Sequence, residues 1–363
     1  MNDFKILAIN PGSTSTKLAV YLNEQAESVK NIKHTDEELA QFRGRPILDQ
    51  LQFRSDAIEI ELQASGHHLF EFAAVVGRGG LLPPLASGTY KVNEAMLEAL
   101  REHHRGEHAS NLGAFLAQDI AERAKISAFV VDPVSVDEWD PRARISGSAL
   151  LERSCLCHAL NTKAVAKRFA REHGMPYEVL KLIVVHLGSG VSVSAHRDGR
   201  MMDNNTGEDG PFAADRSGSL PVQQLIKLCF SGKFTEKEID RAVFGDGGFY
   251  SYLGTKDLKE VERCIDMGDA QASAVFDAMV YRIAKEIGSM AAVLHGRVDA
   301  ILFTGGMAHS ERLIAQLSDY VKFIAPVHTY PGEDELQALV EGALRVLRKE
   351  EEAKELHTAL AAV

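Results

Sequence analysis

The sequence predicts an α/β protein of two domains with related topology. Three observations lead to this prediction. The chain has 363 residues, which is comfortable for two domains. An apolar strand, a glycine-containing loop and a second strand follow one another once in each half, over residues 7–21 and 184–194. Apolar strands and amphipathic helices fill most of the remaining chain. We therefore expect a duplicated architecture with a cleft between the halves.

The domain boundaries follow from an irregular stretch over residues 137–147, which contains Pro141. We expect an N-terminal domain over residues 1–150 plus about 338–363, because the last helix is expected to pack back on the first domain. Residues 151–337 then form the C-terminal domain.

Composition excludes several classes of protein. The net charge of −11 argues against a general nucleic-acid binder. No apolar run reaches the length of a membrane span, and the N-terminus does not read as a signal peptide. The four cysteines fit no zinc spacing. We expect a cytoplasmic protein without nucleic-acid or membrane partners.

The first half contains a predicted strand over residues 4–9 and another over residues 18–22. Residues 10–17 connect them and read Asn-Pro-Gly-Ser-Thr-Ser-Thr-Lys. Hydroxyls and backbone N–H groups of such a loop bind phosphate oxygens, and Lys17 adds charge. The segment is not a Walker A loop, since the second glycine is missing and a strand follows. An ordinary hairpin loop is the alternative interpretation.

Two charged residues of the first half follow predicted strands. Arg78 lies among Gly77, Gly79 and Gly80 after the strand over residues 72–76, where its planar guanidinium suits a carboxylate or phosphate. A solvated loop arginine is the alternative. Asp132 follows the strand over residues 128–131, and carboxyl ends of strands carry the chemistry of α/β proteins. The other predicted elements are helices at 36–53 and 110–124 and a strand at 57–64.

A second glycine loop, residues 186–190, reads His-Leu-Gly-Ser-Gly and joins an apolar run over residues 179–185 to an alternating strand over 191–195. Gly188 and Gly190 allow close approach of the backbone and turn successive N–H groups toward one point, as in phosphate-binding nests. A plain hairpin with a glycine bulge is the alternative. We interpret His186 as a packed or loop-orienting residue rather than a proton carrier.

The rest of the second half contains helices and one further strand. That strand, residues 298–303, ends at Thr304-Gly305-Gly306, and two glycines between a strand and a helix suit an adenosine or its phosphates. The predicted helices cover residues 161–173, 220–230, 271–295 and 334–349.

Four segments together resemble the acetate and butyrate kinases of the actin, hexokinase and Hsp70 superfamily. They are residues 10–17, 185–192 (Val-His-Leu-Gly-Ser-Gly-Val-Ser), 215–218 (Asp-Arg-Ser-Gly) and 303–306 (Phe-Thr-Gly-Gly). The resemblance spans nearly the whole chain. Butyrate kinase is the closer match, through residues 158–161, 252–255 and 330–333 and the Arg78-Gly-Gly-Leu-Leu segment. The resemblance implies two duplicated actin-like (ribonuclease H-like) domains with an interdomain cleft.

The resemblance also implies a reaction, the reversible Mg²⁺-assisted transfer of a phosphoryl group from ATP to a short-chain carboxylate such as butyrate. The products are ADP and an acyl phosphate. Arg78 resembles the carboxylate-binding arginine, and Arg216 and His158 resemble the pair that stabilises charge on the transferred group. Asp132 resembles the acid near the reaction centre, which orients Arg216 or holds the water shell of the metal. A carboxylate is already ionised at neutral pH, so a strong general base is not needed.

Residues for ATP/ADP and Mg²⁺ are implied in the same way. Lys17, with Ser15 in the same loop, contacts a terminal phosphate. Mg²⁺ is held through Asn10 and one acid of residues 333–335; the Pro-Gly-Glu motif favours Glu333, and a gapless comparison with acetate kinases favours Asp334. The nucleotide-binding residues of the second half are His186, Gly188, Ser189, Gly190, Asp257, Lys259, Gly305, Gly306 and Met307. Lys259 departs from the arginine that the family often has there.

Other functions stay open on the sequence alone. The same chemistry serves kinases for acetate, propionate or isobutyrate, because one methylene changes affinity by only about 1–3 kcal/mol. A nucleotide-dependent switch or an actin-like filament protein has the same fold, but Arg78, His158 and Arg216 favour a kinase. The resemblance also suggests a homo-oligomer, a dimer or larger.

Overall fold

A computed structural model describes residues 3–102 and 105–357 of the chain. The chain divides into two compact units. The first comprises Met1–Asp137 and Asp334–Val363, and the second comprises Glu138–Glu333. Both boundaries lie earlier in the chain than the positions drawn from the sequence. Among the described helices, none is long and apolar enough to cross a membrane.

The first unit is built on a six-stranded sheet. Its strands are β1 (Lys5–Pro11), β2 (Ser15–Leu22), β3 (Gln25–Lys33), β4 (Ala74–Arg78), β5 (Thr89–Lys91) and β6 (Ser127–Val131). They lie in the order β3-β2-β1-β4-β6-β5. Strands β1, β4 and β6 are parallel, and β2, β3 and β5 are antiparallel to their neighbours. The carboxyl ends of the three parallel strands therefore meet at one edge of the sheet.

The helices of this part of the chain are α1 (Asp36–Ala40), α2 (Leu51–Ala64), α3 (Glu94–Glu102) and α4 (Leu112–Ala124). Helix α4 lies close against β4 because glycines meet at the contact. A Cβ on Gly113 would lie only 2.0 Å from the carbonyl oxygen of Arg78. The helix thus holds the backbone of Arg78 directly.

The strand predicted over residues 57–64 is wrong, because these residues form the second half of α2. Ile58, Ile60 and Leu62 alternate in sequence as a strand would. However, Ile60 is 67 % exposed, and the buried positions are Arg54, Ser55, Ile58 and Leu62, which follow a helical repeat. The long polar helix predicted over residues 36–53 is likewise broken, since α1 ends at Ala40.

The second unit carries a five-stranded sheet. Its strands are β7 (Leu182–Leu187), β8 (Val191–Arg197), β9 (Arg200–Asn204), β10 (Ala300–Gly305) and β11 (Val327–Pro331). Their order is β11-β10-β7-β8-β9, with β11, β10 and β7 parallel. The helices are α5 (Ala159–Glu172), α6 (Val222–Cys229), α7 (Glu236–Val243), α8 (Tyr250–Leu253), α9 (Leu258–Asp266), α10 (Ala270–Val293) and α11 (Glu311–Val321). The last helix of the chain, α12 (Glu335–Leu347), belongs to the first unit.

The two sheets share one plan. Read from one edge, β3-β2-β1-β4-β6 has the same order and the same strand directions as β9-β8-β7-β10-β11, and β5 is added in the first unit only. The α/β fold with two related domains, predicted from the sequence, is confirmed. Strand β7 shows how the layers form: Ile183, Val185 and Leu187 pack in the core with α10, whereas Leu182 and Val184 pack in the core with α5.

Candidate functional site

Three polar side chains of the first unit lie in one row across its sheet. Asn10 is near the end of β1, Lys17 is directly opposite on β2, and Arg78 ends β4, one position beyond the pair Ile9–Gly77. Directly paired residues project from the same face of a sheet. Asn10 is buried and Lys17 is exposed. The structure thus brings together three of the residues predicted from the sequence.

Glu335 completes this cluster from the first position of α12. Its Oε2 accepts hydrogen bonds from Asn10 Nδ2 at 2.6 Å and from Arg78 Nη1 at 2.9 Å. Only 10 % of the Glu335 side chain is exposed, against 22 % for Arg78. A carboxylate at the N-terminus of a helix is also favoured by the helix dipole. We call Asn10, Arg78 and Glu335 the strand-end cluster.

The two acids predicted as metal ligands lie elsewhere. Asp334 immediately precedes α12 with a φ of 41°, in the left-handed region, and its side chain does not cap the helix. Glu333 ends the second unit, where its Oε1 lies 3.8 Å from His186 Nε2. In the described part of the chain, Glu335 is the acid whose side chain bonds Asn10.

Asp132 has a clear local partner. It follows β6 with a φ of 37°, and its Oδ1 accepts hydrogen bonds from Ser87 Oγ at 2.6 Å and from the N–H of Gly88 at 2.7 Å. The carboxylate therefore fixes the turn before β5. This contact gives Asp132 a structural role beside the one implied by the resemblance.

The second unit has an equivalent row. His186 lies directly opposite Ser192 on β8 and is in register with Thr304 on β10. The ring of His158 stacks on that of His186, with centroids 3.9 Å apart and planes 10° from parallel. His158 Nδ1 lies 2.9 Å from Ser192 Oγ. The structure thus joins two predicted residues, His158 and His186, in one stacked pair.

Asn161, on α5, holds this pair and was not singled out from the sequence. Its Nδ2 donates to the carbonyl of Glu333 at 2.8 Å and to Thr304 Oγ1 at 3.2 Å, so its Oδ1 faces His186 Nδ1 at 2.8 Å as an acceptor. The proton of His186 is therefore on Nδ1. Asn161 lies in the 158–161 segment that resembles butyrate kinase, but the sequence does not show its contacts, because its partners lie 25, 143 and 172 residues away.

The glycine loop between β7 and β8 is tight, and Arg216 lies against it. The N–H of Gly188 donates to the carbonyl of Gly190 at 3.1 Å. A Cβ on Gly190 would lie 2.9 Å from Arg216 Nη1, and one on Gly188 would lie 2.9 Å from His186 Nε2. The N–H of Asp215 also contacts the carbonyl of Ser189 at 3.5 Å. A side chain at Gly190 or Gly188 would therefore have to displace the Arg216 guanidinium or the His186 imidazole, respectively.

The loop after β10 also depends on glycine. Gly305 has a φ of 93°, and a Cβ there would lie 2.3 Å from the carbonyl oxygen of Leu187. Its N–H and carbonyl pair with those of Gly332. Gly306 and Met307 begin a short 3₁₀ helix that leads to α11. These three predicted residues therefore lie next to the strand whose end carries the 188–190 loop.

Asp257 and Lys259 have a different local setting. The Asp257 side chain accepts the N–H of Lys259 at 2.9 Å and forms the N-cap of α9. Capping by aspartate is a common stabilising device at helix starts. Among the described residues, neither Asp257 nor Lys259 forms a hydrogen bond with residues 186–190 or 305–307.

The atoms that these residues offer suit the two groups that the resemblance implies, Mg²⁺ and the phosphates of ATP. Asn10 and Glu335 offer hard oxygen atoms, and Mg²⁺ is bound through one or two carboxylates plus water and phosphate oxygens. No group of three or more His, Cys, Asp or Glu residues with metal-binding geometry occurs among the described residues. The 188–190 loop with Arg216 offers backbone N–H groups and a guanidinium, which suit phosphate.

The chain is similar to a known sequence family and to proteins of known structure. Residues 151–324 match the family model described as the acetokinase family. The solved acetate kinase of Porphyromonas gingivalis superposes with a TM-score of 0.77 at 17 % identity, covering 94 % of this chain and 99 % of that one.

Two further structures are similar. A propionate kinase from Francisella tularensis has a TM-score of 0.70 at 18 % identity, with 93 % of this chain and 98 % of that one covered. The acetate kinase of Entamoeba histolytica has a TM-score of 0.73 at 16 % identity, with 95 % and 100 % covered. The chain therefore has the two-domain actin-like fold of these kinases, and residues 151–324 carry the sequence pattern of the acetokinase family.

Proposed function

We propose that the protein is a carboxylate kinase, which transfers a phosphoryl group from ATP to a short-chain carboxylate and gives ADP and an acyl phosphate. The observation that carries the proposal is the strand-end cluster, in which a partly exposed arginine and a single carboxylate meet at the carboxyl ends of β1 and β4. The acetokinase match over residues 151–324 supports the same reaction class.

The first unit is proposed to bind the acid. Arg78 Nη1 donates a hydrogen bond to Glu335, whereas Nη2 and Nε of Arg78 have no hydrogen-bond partner among the described residues. That half of the guanidinium is suited to a substrate carboxylate. Lys17 and the hydroxyl-rich loop beside it are proposed to bind the phosphoryl group that is transferred. Asn10 and Glu335 are the residues that would hold Mg²⁺, which supplies charge neutralisation on phosphate oxygens when bound.

The second unit is proposed to bind the nucleotide. The N–H groups of Ser189 and Gly190 would bind phosphate oxygens at the 188–190 loop, and residues 305–307 would lie along the adenosine. Arg216 lies against Gly190, so its positive charge is available where negative charge develops during transfer. His158 is held by its stack on His186 and by Ser192, which leaves its orientation fixed before substrate binds.

The preferred acid is proposed to be butyrate, on the resemblance of residues 158–161, 252–255 and 330–333 to butyrate kinase. Two of the similar structures are named acetate kinases and one a propionate kinase. Acetate, propionate and butyrate are all short-chain carboxylates.

A hydroxamate assay for acyl phosphate tests the proposal, with Mg-ATP and straight-chain acids of two to six carbons. We expect product with a maximum at four carbons. Arg78→Ala is expected to raise the KM for the acid, and Arg216→Ala is expected to lower kcat by about 10²-fold or more, because each removes a charge that binds or stabilises the reacting groups.

Arg241→Ala is the matched control, since Arg241 is a surface arginine of the second unit that pairs with Asp246. Its kinetics should equal those of the wild type. A maximum at two or three carbons would support a carboxylate kinase but contradict the proposed preference for butyrate. If no acid gives product although the protein still binds ATP, the proposed kinase activity is rejected.

The proposed homo-oligomer is tested separately. Multi-angle light scattering on the full chain should give a mass that is a multiple of the 39.7 kDa protomer. A monomer mass at every concentration would reject this part of the proposal.

A further inference from the structure

Arg54 is a fully buried arginine whose charge has no partner carboxylate among the described residues. It lies on α2 and is 0 % exposed. Its guanidinium donates only to neutral acceptors, which are Gly12 O at 2.9 Å, Ser13 O at 3.1 Å, Ser15 O at 3.1 Å, Thr16 Oγ1 at 3.0 Å, and Gln50 Oε1 at 2.9 and 3.0 Å. Most of these acceptors belong to the hairpin loop between β1 and β2.

The contacts of Arg54 set the direction of the peptide groups in residues 12–16. The carbonyls of Gly12, Ser13 and Ser15 point to the guanidinium, and the carbonyl of Thr14 accepts from the N–H of His34 at 2.9 Å. In a trans peptide, the carbonyl and the following N–H point in opposite directions. The N–H groups of residues 13–15 are therefore turned away from Arg54 and from β3.

The outer face of the loop consequently presents donors. Ser13 and Thr14 are exposed, and no described residue accepts a hydrogen bond from their N–H groups. Successive outward N–H groups with neighbouring hydroxyls form an anion-binding concavity. The loop thus has donors on the outside and a cation directly beneath it.

The charge beneath the loop persists at neutral pH. Burial lowers the pKa of Arg54 to about 10, which still leaves the guanidinium protonated. His34 Nε2 lies 2.9 Å from Thr16 Oγ1, and this hydroxyl already accepts from Arg54. Burial and the charge of Arg54 lower the pKa of His34, so its imidazole is neutral at pH 7 and adds no second positive charge. A buried charge without a counter-ion is costly, and an anion on the loop would lower that cost.

We propose that Arg54 is a positioning residue, which fixes residues 12–16 with their donors outward and adds positive charge for the phosphoryl group of an acyl phosphate. The inference rests on the proposed kinase function for the identity of that phosphoryl group. Arg54 does not touch the ligand, and it acts through the loop.

Kinetics in the direction that consumes acyl phosphate test the inference. The test variants are Arg54→Gln and Arg54→Lys. Arg123→Gln, at a surface arginine of the same unit, is the control. Loss of the charge in Arg54→Gln should raise the KM for butyryl phosphate by about 10- to 100-fold. Arg54→Lys keeps the charge, but an ammonium group with three protons cannot bond all five acceptor atoms, so a smaller rise is expected. The KM for ADP should stay within about twofold, and Arg123→Gln should match the wild type.

An unchanged KM for butyryl phosphate in a folded Arg54→Gln protein would overturn the inference, as would equal rises in both KM values. Hydrogen exchange of the wild-type chain supplies a test that needs no variant. Inorganic phosphate should protect the peptide covering residues 12–16 relative to sodium chloride at equal ionic strength, and absence of protection would overturn the inference. If the wild type makes no acyl phosphate, the proposed function fails, and phosphate protection still decides whether the loop binds the anion.

Discussion

Glu335 is the carboxylate that the structure places against Asn10 and Arg78, and it is the first candidate for substitution. Glu335→Gln keeps the size of the side chain and removes its charge. We expect the rate of acyl phosphate formation to fall at least about 10-fold and the Mg²⁺ concentration for half-maximal rate to rise, because the only carboxylate in the cluster is lost. A magnesium titration of the hydroxamate assay measures both effects.

Asp334→Asn and Glu333→Gln are the controls for this prediction, since they change the two neighbouring acids. Both should keep a magnesium dependence close to that of the wild type. A larger effect from either of them than from Glu335→Gln would assign the metal to a different acid.

The sequence predicts that one acid of residues 333–335 holds the metal, and the structure shows that Glu335 is the one that contacts Asn10. Which acid contacts Asn10 depends on where α12 begins and on the left-handed φ of 41° at Asp334. Three consecutive acidic residues in a sequence show neither feature. Arg54 and Asn161 were missed for a related reason. Their roles depend on partners 42 and 25 residues away, and no local sequence pattern shows those contacts.

Asn161 provides a second test, on stability. Asn161→Ala removes one acceptor and two donors in a buried network, so we expect it to lower the free energy of unfolding by about 1–3 kcal/mol. Thr162→Ala is the matched control on the same helix, because the Thr162 hydroxyl bonds only carbonyls of its own helix. Thermal melting should show a clearly larger loss for Asn161→Ala, and equal losses would contradict the assigned network.

The helices that carry these residues play matching parts in the two units. Helix α12 begins at Glu335, which contacts Asn10 at the end of β1. Asn161 lies in the first turn of α5 and contacts His186 near the end of β7. In both units, a polar side chain at a helix start therefore orients a polar side chain at the end of the central strand.

Sequence patterns predicted most of the buried strands and missed the exposed strand β3. The apolar runs of β1, β7 and β10 were identified because their residues are almost all buried. Strand β3 has no buried residue and therefore no alternating pattern to detect. Residues 57–64 were assigned to a strand because Ile58, Ile60 and Leu62 alternate, although only Ile58 and Leu62 are buried.

Close packing between α4 and β4 gives a prediction for Gly113. Gly113→Ala puts a methyl group 2.0 Å from the Arg78 carbonyl, so the helix or strand must move. We expect a loss of at least about 2 kcal/mol in the free energy of unfolding. Arg78 ends β4, so the KM for the acid should also rise.

Gly288→Ala is the opposite case and serves as the control. Gly288 lies inside α10 with nothing within 4 Å of a new Cβ, so alanine should stabilise the protein by about 0.5–1 kcal/mol through its helix propensity. Urea denaturation measures both variants. A neutral Gly113→Ala would contradict the close contact between helix and strand.

The duplicated sheets explain why one protein carries two hairpin loops in equivalent places, both of which we propose bind phosphate. In each unit, an antiparallel hairpin, β1–β2 or β7–β8, places its loop beside the carboxyl ends of parallel strands. The loops differ in composition, hydroxyl-rich in residues 12–16 and glycine-rich in residues 188–190. The plan of the fold could be read from the sequence because both hairpins are local. The contacts that specialise each loop are long-range and could not.

Two of the buried histidines, His34 in the first unit and His196 in the second, make the stability of the chain depend on pH. Burial lowers the pKa of His34 and, much more, that of His196, with Arg54 and Lys163 respectively adding repulsion. His196 lies between Tyr177 OH at 2.6 Å and Ser194 Oγ at 2.8 Å, and Lys163 pairs with Glu138 nearby. Both imidazoles are therefore neutral when the chain is folded.

The sign of the effect follows from proton binding. Below the ordinary histidine pKa of 6.5, the unfolded chain binds protons that the folded chain does not. The stabilising contribution is thus complete above that pH, and it declines as the pH falls from 6.5 toward the lowered folded pKa values. Each histidine contributes a slope of at most about 1.4 kcal/mol per pH unit.

His196→Gln tests this prediction in the second unit, because glutamine supplies a donor and an acceptor without titrating. We expect its free energy of unfolding to fall less steeply than that of the wild type between about pH 7.5 and pH 5.5. Urea denaturation followed by the fluorescence of Trp139, the single tryptophan and a buried residue of the same unit, measures the slope. His309→Gln, at an exposed histidine of the same unit, should keep the wild-type slope. Equal slopes for the wild type and His196→Gln would mean that His196 takes up its proton in the folded chain as readily as in the unfolded one, contrary to the burial that surrounds it.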